Sequence, residues 1–548
     1  GYIHDCTTRQ YGSEEIYYFA QDTVHTATNR HDRLKTDCLN AEVNYEDNTV
    51  SRYTRENFSF AGTWKSGVSD ITGDNAIFLK IKNSQWELKN YFNQLYTKEK
   101  YTWGFRSNTR YTHCSASLTV AHRNLPILFA DNMLIADCIY HRNELSSSDN
   151  ISENTYRTVI GQTHESILAE YEEMNTGNAY TDNTLYGMRK INGVNYQLTG
   201  GFCGELSSVK QENAYSAHSY SFYTVPRIEW ERNDFLFTAA TTVRWTHLPK
   251  QSYSRFCVSP FFCFRYKFTP RWKMSLLGSL DESEGGLKDI YPFRYREDYR
   301  TVVKHTGKVP VTVRQLYTCY LEYKNTIKEF FWTLSASYSH NRYNLITERN
   351  YKDGNFYLSS VERNHSSHSY TLNTIGSKGI YDWNLKTSLE LTLARNEGKQ
   401  LNEGIVQDYR YDYLCVEPKI VWAPSVFFEA EYKATVSCVG GGIGEDTSLD
   451  PLWEVAQRLT LSLEFHDTEF RLSGEHFYND LSKNQHLNIW LADVSLIHKA
   501  GKWRFAASAI NLFNKEQYRY TLYSAVQSYT SWIKLRPREF MVSVQYQW

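Results

Sequence analysis

The chain has 548 residues, with 60 Lys and Arg against 61 Asp and Glu. That balance leaves no basic excess for a nucleic-acid surface, and no window approaches the ~20 consecutive apolar residues of a membrane-crossing helix. The mean hydropathy is polar, at -0.57, yet 43 Tyr, 28 Phe and 14 Trp make up 16% of the residues. Such aromatics suit strands and the boundary between apolar and aqueous phases. A spanning β-barrel needs only every second strand residue to be apolar, so a polar average is compatible with one.

In chain order, strands are predicted near residues 15–24, 36–45, 53–64, 86–95, 101–111 and 194–206. One more is required between 112 and 190, where no periodicity locates it. From residue 220 the alternation sharpens, because side chains of a strand point to opposite faces in turn. Phe330, Trp332, Leu334, Ala336 and Tyr338 alternate with mostly Thr and Ser. Trp383, Leu385, Leu389, Leu391 and Leu393 are expected to face lipid, and Lys386 and Glu390 the lumen. Phe428, Ala430, Tyr432, Ala434, Val436 and Cys438 alternate with Glu429, Glu431, Lys433, Thr435 and Ser437. Leu459, Leu461, Leu463 and Phe465 enclose Thr460, Ser462 and Glu464. Phe540, Val542, Val544, Tyr546 and Trp548 form one face of the last strand.

Connectors sort by length. Short ones fall near 231–234, 267–270, 325–329, 377–382, 422–425, 466–469 and 498–502. Long ones fall near 281–310, 340–367, 395–407, 439–452 and 515–537. Short turns at one end and long loops at the other predict an all-β, antiparallel up-and-down transmembrane barrel of about 22 strands, the size that holds a plugged lumen.

Candidate chemistry is sparse. The ten cysteines form no CxxC pair; Cys257 and Cys263 share a strand face, and Cys319 and Cys438 sit on apolar parity, read as small fillers against disulfide partners. Structural zinc uses tighter pairs. In the loop after Tyr338, His340, His365 and His368 are candidates for a metal or haem iron, against solvated loop histidines. In the longest loop Tyr291, Phe293, Tyr295 and Tyr299 interleave with Arg294, Arg296 and Arg300. These could stack on a sugar or flat ligand, or pack on one another. Gly440-Gly441-Gly442-Ile443-Gly444 lacks the Lys and Ser/Thr of a phosphate loop. Glu445, Asp446 and Asp450 are weighed as a loop calcium site. Glu429, Glu431, Lys433 and Glu464 read as a polar channel lining. No catalytic triad stands out, and no cofactor is expected.

The last ~50 residues carry a family signature. Asn511, Leu512, Phe513, Asn514 and Lys515, with Tyr518 beyond, resemble the turn after the penultimate strand of TonB-dependent receptors. The final strand, from Arg538 to the terminal aromatic Trp548, resembles that family's last strand and the general assembly signal of outer-membrane barrels. Asn44-Tyr45-Glu46-Asp47, ahead of an alternating strand, is similar to the Bacteroidota branch. The resemblance implies a Gram-negative outer-membrane transporter without enzymatic activity. Its loops would take a scarce or large nutrient (iron chelate, haem, vitamin, glycan or peptide). The partners it implies are membrane lipid, the barrel assembly machinery, TonB through a plug domain, and a surface lipoprotein. Members carry a plug before the barrel; residues 1–30 read instead as loop and first strand, so the whole chain is expected to be barrel, with plug and signal peptide missing. The alternatives are a passive pore or surface adhesin without a plug, or an enzyme with a catalytic cluster at the barrel rim.

Overall fold

The computed structural model describes residues 2–18, 23–49, 51–73, 76–98, 101–123, 154–160, 163–211, 214–297, 300–352, 355–444, 447–481, 485–523 and 527–546. Among them, 27 strands join in a single sheet, and there is no α-helix. β1 (Tyr2–Tyr18), β2 (Thr23–Asn48), β3 (Arg52–Gly73), β4 (Ala76–Lys98) and β5 (Tyr101–Arg123) pair each with the next. The short β6 (Asn154–Ile160) makes a hairpin with β7 (Thr163–Ile191), and β7 pairs along β5. β7 is therefore the strand that periodicity did not locate. The strand expected over 15–24 is corrected: that stretch holds the end of β1 and the start of β2.

The meander continues through β8 (Val194–Lys210), β9 (Ala214–Arg232), β10 (Phe235–Leu248), β11 (Tyr253–Lys267) and β12 (Trp272–Glu284). Two small strands, β13 (Arg294–Arg296) and β14 (Thr301–Lys304), lie in the connection to β15 (Val311–Asn325), which pairs directly with β12. Next come β16 (Phe330–Lys352), β17 (Asn355–Ile380), β18 (Leu385–Asn402) and β19 (Ile405–Ser425). β20 (Phe428–Ile443), β21 (Thr447–Phe465), β22 (Thr468–Leu481) and β23 (Gln485–Ala500) extend them, each antiparallel to its neighbour. The chain ends in β24 (Trp503–Ile510), β25 (Gln517–Tyr523), β26 (Gln527–Lys534) and β27 (Glu539–Tyr546). β24 pairs with β23 and β27, β25 with β26, and β26 with β1 over Tyr11–Tyr17.

Local chemistry fixes the turns. Ile191-Asn192-Gly193-Val194 is a two-residue hairpin with φ of 48° at Asn192 and 82° at Gly193. Both central residues need positive φ, which Asn and Gly adopt at least cost. Glu403 and Gly404 make the equivalent turn at the other end of the sheet, with φ of 49° and 78°. Most short connectors are where alternation placed them, but two are corrected: 422–425 is the end of β19, with the turn at 426–427, and 377–380 is the end of β17, with the turn at 381–384. The long ones are corrected: 340–367 and 395–407 are mostly strand. β16 and β17 pair up to Lys352–Asn355, and β18 and β19 up to Asn402–Ile405. The two ends thus differ more in how far strands project than in loop length. A spanning strand needs only about 9–11 residues, and β17 has 26.

The two faces differ in chemistry. Leu389 and Leu393 are exposed on one face. On the other, Asn373 donates to Glu390 at 2.8 Å and to Thr392 at 2.9 Å. Ion pairs run along that polar face: Lys273–Glu322 at 2.6 Å, Lys419–Glu431 at 2.8 Å and Arg458–Glu475 at 3.5 Å. On the apolar face, aromatic pairs gather by the short turns. Tyr96–Trp103 lie 4.4 Å apart, Trp272–Tyr323 4.8 Å, Trp230–Phe235 5.0 Å and Trp503–Tyr546 4.8 Å. A second set lies farther along the strands, with Phe222–Trp245 at 6.0 Å, Tyr338–Tyr370 at 5.1 Å and His476–Trp490 at 4.2 Å. Phe235 and Trp245 are ten residues apart on β10. At about 3.3 Å per residue and a tilt of about 45° this is a height of about 23 Å.

Candidate functional site

Above the second aromatic set, the chain between β12 and β15 folds back across the polar face. Ile290 is fully buried and Val309 is 5% exposed, and both pack on Ala217 of β9 and Leu248 of β10. By strand parity Ala217 shares its face with Arg227 and Glu229, and Leu248 with Arg244, opposite the exposed Phe222 and Trp245. Residues 285–310 therefore cover part of the polar face. Their base is closed by Gly285 N–H donating to the Pro310 carbonyl at 2.8 Å. Beneath them Arg244 meets Glu284 at 2.6 Å and Arg255 meets Glu282 at 3.2 Å.

The segment then reaches a second anchor. β14 adds in parallel to β17, pairing Thr301–Lys304 with Phe356–Ser359. On the other side of the β16–β17 hairpin, Leu401 and Asn402 at the tip of β18 pair in parallel with Glu348 and Arg349 of β16. The strand order β13-β14-β17-β16-β18 makes a small sheet at the loop end. These two parallel additions depart from the purely antiparallel pattern expected. A bulge at Asn344 sets where the hairpin leaves the main sheet, since register shifts between Tyr343 and Leu345. Its amide holds the returning chain from both sides, accepting from Val311 N–H at 2.7 Å and donating to the Val309 carbonyl at 2.9 Å.

Among the described candidates of this segment, the aromatics pack on one another and Arg294 and Arg296 reach β17. Tyr291 is buried, 5.7 Å edge-on from Tyr215 and 5.4 Å from Phe293. Tyr295 lies 6.1 Å from Tyr291. Arg294 sits over Tyr357 at 5.4 Å, and Arg296, 9% exposed, donates to Asn355 at 3.2 Å. Tyr299 lies outside the described residues. Burial holds the imidazole of His305 below its usual pKa, with Asp289 and Glu297 acting in the opposite sense. His305 contacts Ser360 of β17 at 3.2 Å.

The histidine candidates are corrected. His365 and His368 belong to β17 itself, where a separation of three puts them on opposite faces. His368 stacks on His340 with centroids 4.5 Å apart, while His365 stacks on Tyr343 at 4.8 Å. They cannot share an ion, and the described residues hold no metal-sized group of three His, Cys, Asp or Glu. Gly440–Ile443 is also strand, with a register shift between Val439 and Gly441. A Cβ on Gly441 would lie 2.1 Å from the Arg410 carbonyl, so a close approach of backbones requires glycine there. Glu445 and Asp446 lie outside the described residues, as does Trp548.

Asn511 joins the last strands. Buried at 7% exposure with φ of 53°, it interrupts β24, and its Nδ2 donates to the carbonyls of Lys515 at 2.9 Å and Arg536 at 2.8 Å. Its Oδ1 accepts from Lys515 N–H at 2.9 Å, and Asn514 Oδ1 accepts from Arg538 N–H at 2.9 Å. Leu512 N–H donates to the Ala492 carbonyl at 2.8 Å, and Phe513 is exposed. On β27, Phe540, Val542, Val544 and Tyr546 share one exposed face opposite β24. Sequence reasoning missed Asn344, Gln400, Asn402 and Gln407, because polar residues in polar hairpins break no pattern. The Glu403-Gly404 turn was the available signal.

No family model matches the chain, and no curated protein matches it. Among solved structures it is similar to the outer membrane transporter YddB from Escherichia coli, with 10% identity, TM-score 0.44, and 98% of this chain and 80% of that one covered. It is similar to the copper transporter OprC with 10% identity, TM-score 0.43, and coverage of 97% and 80%. With the ferric enterobactin receptor PfeA from Pseudomonas aeruginosa it shares 11% identity at TM-score 0.38, covering 96% and 81%. Likenesses this distant transfer no residue role, ligand or activity.

Proposed function

We propose that the chain is the wall of an outer-membrane import barrel of the TonB-dependent type. In this reading β24 with β25 is the penultimate wall strand and β26 with β27 the last. The wall then numbers about 22 strands, and the β1–β26 pairing closes it. The apolar face meets lipid, where a charge at mid-membrane would cost roughly 2–4 kcal/mol. The polar face lines the lumen, and the short turns lie in the periplasm. Nutrient would enter from the loop end, where residues 285–310 and the small sheet cover part of the lumen.

The observation that carries the reading is the division of the faces, with two aromatic sets bounding an apolar belt of about the ~25 Å height of spanning barrels. The Asn511–Lys515 turn supports the family. No covalent chemistry is assigned to the chain. Coupling to TonB would pass through a plug. Described residues 2–123 are the wall strands β1–β5, so a plug would be built from other residues.

The test is nutrient-limited growth of cells carrying the complete gene, with TonB present and absent. Uptake that requires TonB is expected. Uptake that persists equally without TonB would replace this reading with a passive pore.

A further inference from the structure

At the β18–β19 tip, Gln400 is 9% and Asn402 3% exposed. Gln400 stands directly opposite Gln407, and Asn402 lies two residues on, so all three amides share one face. Both amide atoms of Gln400, Nδ2 of Asn402 and Oε1 of Gln407 have no hydrogen-bond partner among the described residues. Unpaired buried amide atoms are costly; Asn344 and Asn511 avoid the cost, held from two sides or more, and Asn178 and Gln251 each leave only a single oxygen unpaired. Four unpaired atoms in one hairpin tip therefore point to a group that takes their bonds.

The surroundings define that group. On the same face of β19, Tyr409, Tyr411 and Tyr413 follow Gln407 at alternate positions. Across from them Tyr343 stacks on His365. The charged side chains of this tip lie on the other face and are matched there: Lys399 pairs with Asp408 at 3.0 Å, and Asp412 with Arg395 at 2.6 Å and Arg410 at 3.0 Å. What remains open is neutral, two donors and two acceptors beside tyrosine rings.

We infer that this tip is a recognition site for a neutral oligosaccharide. Each sugar hydroxyl both donates and accepts, matching the amides, and the apolar face of a sugar ring stacks on tyrosine. An anionic chelate would need unpaired cations, and the arginines and the lysine of this hairpin lie on its other face with carboxylate partners. The amide atoms are covered where β18 meets β16, through only two residue pairs and the bond from Glu403 N–H to the Arg349 carbonyl at 3.0 Å. The ligand enters as that short contact opens. This inference rests on the import reading and names its substrate class.

The test uses the purified full chain in nanodiscs, probed with an array of neutral oligosaccharides, a mixed tripeptide library and a ferric catecholate. Binding of a neutral oligosaccharide is expected. The double variant Gln400→Leu, Asn402→Leu should weaken it by roughly tenfold or more, the loss of two or more hydrogen bonds. Gln407→Leu alone should weaken it less, with heat-resistant gel mobility retained in both variants. Binding of peptide or chelate alone, no oligosaccharide binding, or full binding by the double variant would overturn the inference. Oligosaccharide binding without TonB-dependent uptake would count against the import reading and leave this site standing; TonB-dependent uptake of another ligand class would do the reverse.

Discussion

Asn511 shows how one side chain can end two strands at once. Its three side-chain hydrogen bonds reach Lys515 and Arg536, on either side of the break shared by the penultimate and last strands. Alanine would leave two carbonyls and an N–H short of partners at a nearly buried position, and would also strain a φ of 53°. With unmet buried groups costing about 1–3 kcal/mol each and some rescued by water, the loss should be about 3 kcal/mol. We expect Asn511→Ala to lower by several degrees the temperature at which the folded band is lost in heat-modifiability electrophoresis. Asn511→Asp, which keeps the acceptor, should lie between the two. An alanine variant as heat-resistant as the parent would remove Asn511 from this role. The turn motif made this residue legible in advance. Asn344 was not, because a polar residue among polar residues gives no hint that a bulge will place its amide between two backbone groups.

Among elements, the segment between β12 and β15 bears most directly on whether the lumen is open. The sequence reading of a polar channel lining gave no sign of a segment across it, and the structure lays Ile290 and Val309 against the polar face. Asp at the fully buried Ile290 would place a carboxylate in an apolar contact, which it would leave for water. We predict that Ile290→Asp frees the segment. Trypsin should then cleave after Arg294 or Lys304 much faster than in the parent, and single-channel conductance in planar bilayers should rise, with the wall intact by gel mobility. Unchanged cleavage and conductance would place the segment elsewhere.

The same scale explains what pattern reading missed. In β7, Glu165, Ile167, Ala169, Tyr171 and Glu173 occupy one parity and His164, Ser166, Leu168, Glu170 and Glu172 the other, so neither face reads as apolar. The upper halves of β16 and β17 likewise project beyond the aromatic sets with polar residues on both sides. Alternation appears only where one face must be apolar, and it therefore located the belt while reading the projecting hairpins as loops.

For the whole molecule, the central claim is that the wall closes, with its first strand against its last, in the outer membrane. The local pattern of the sequence could not establish this, since pairing of Tyr11–Tyr17 with Gln527–Ile533 joins residues more than 500 apart. Ser13 and Ser531 are direct partners in that pairing, and facing residues of neighbouring strands lie within disulfide reach. The most direct measurement introduces Ser13→Cys and Ser531→Cys into a chain whose ten native cysteines are replaced, and follows oxidation in intact outer membranes. Closure predicts a near-quantitative intramolecular cross-link, seen as a mobility shift of the denatured chain that reductant reverses, and absent from either single-cysteine chain. Failure to cross-link in chains that are inserted and heat-resistant would contradict it.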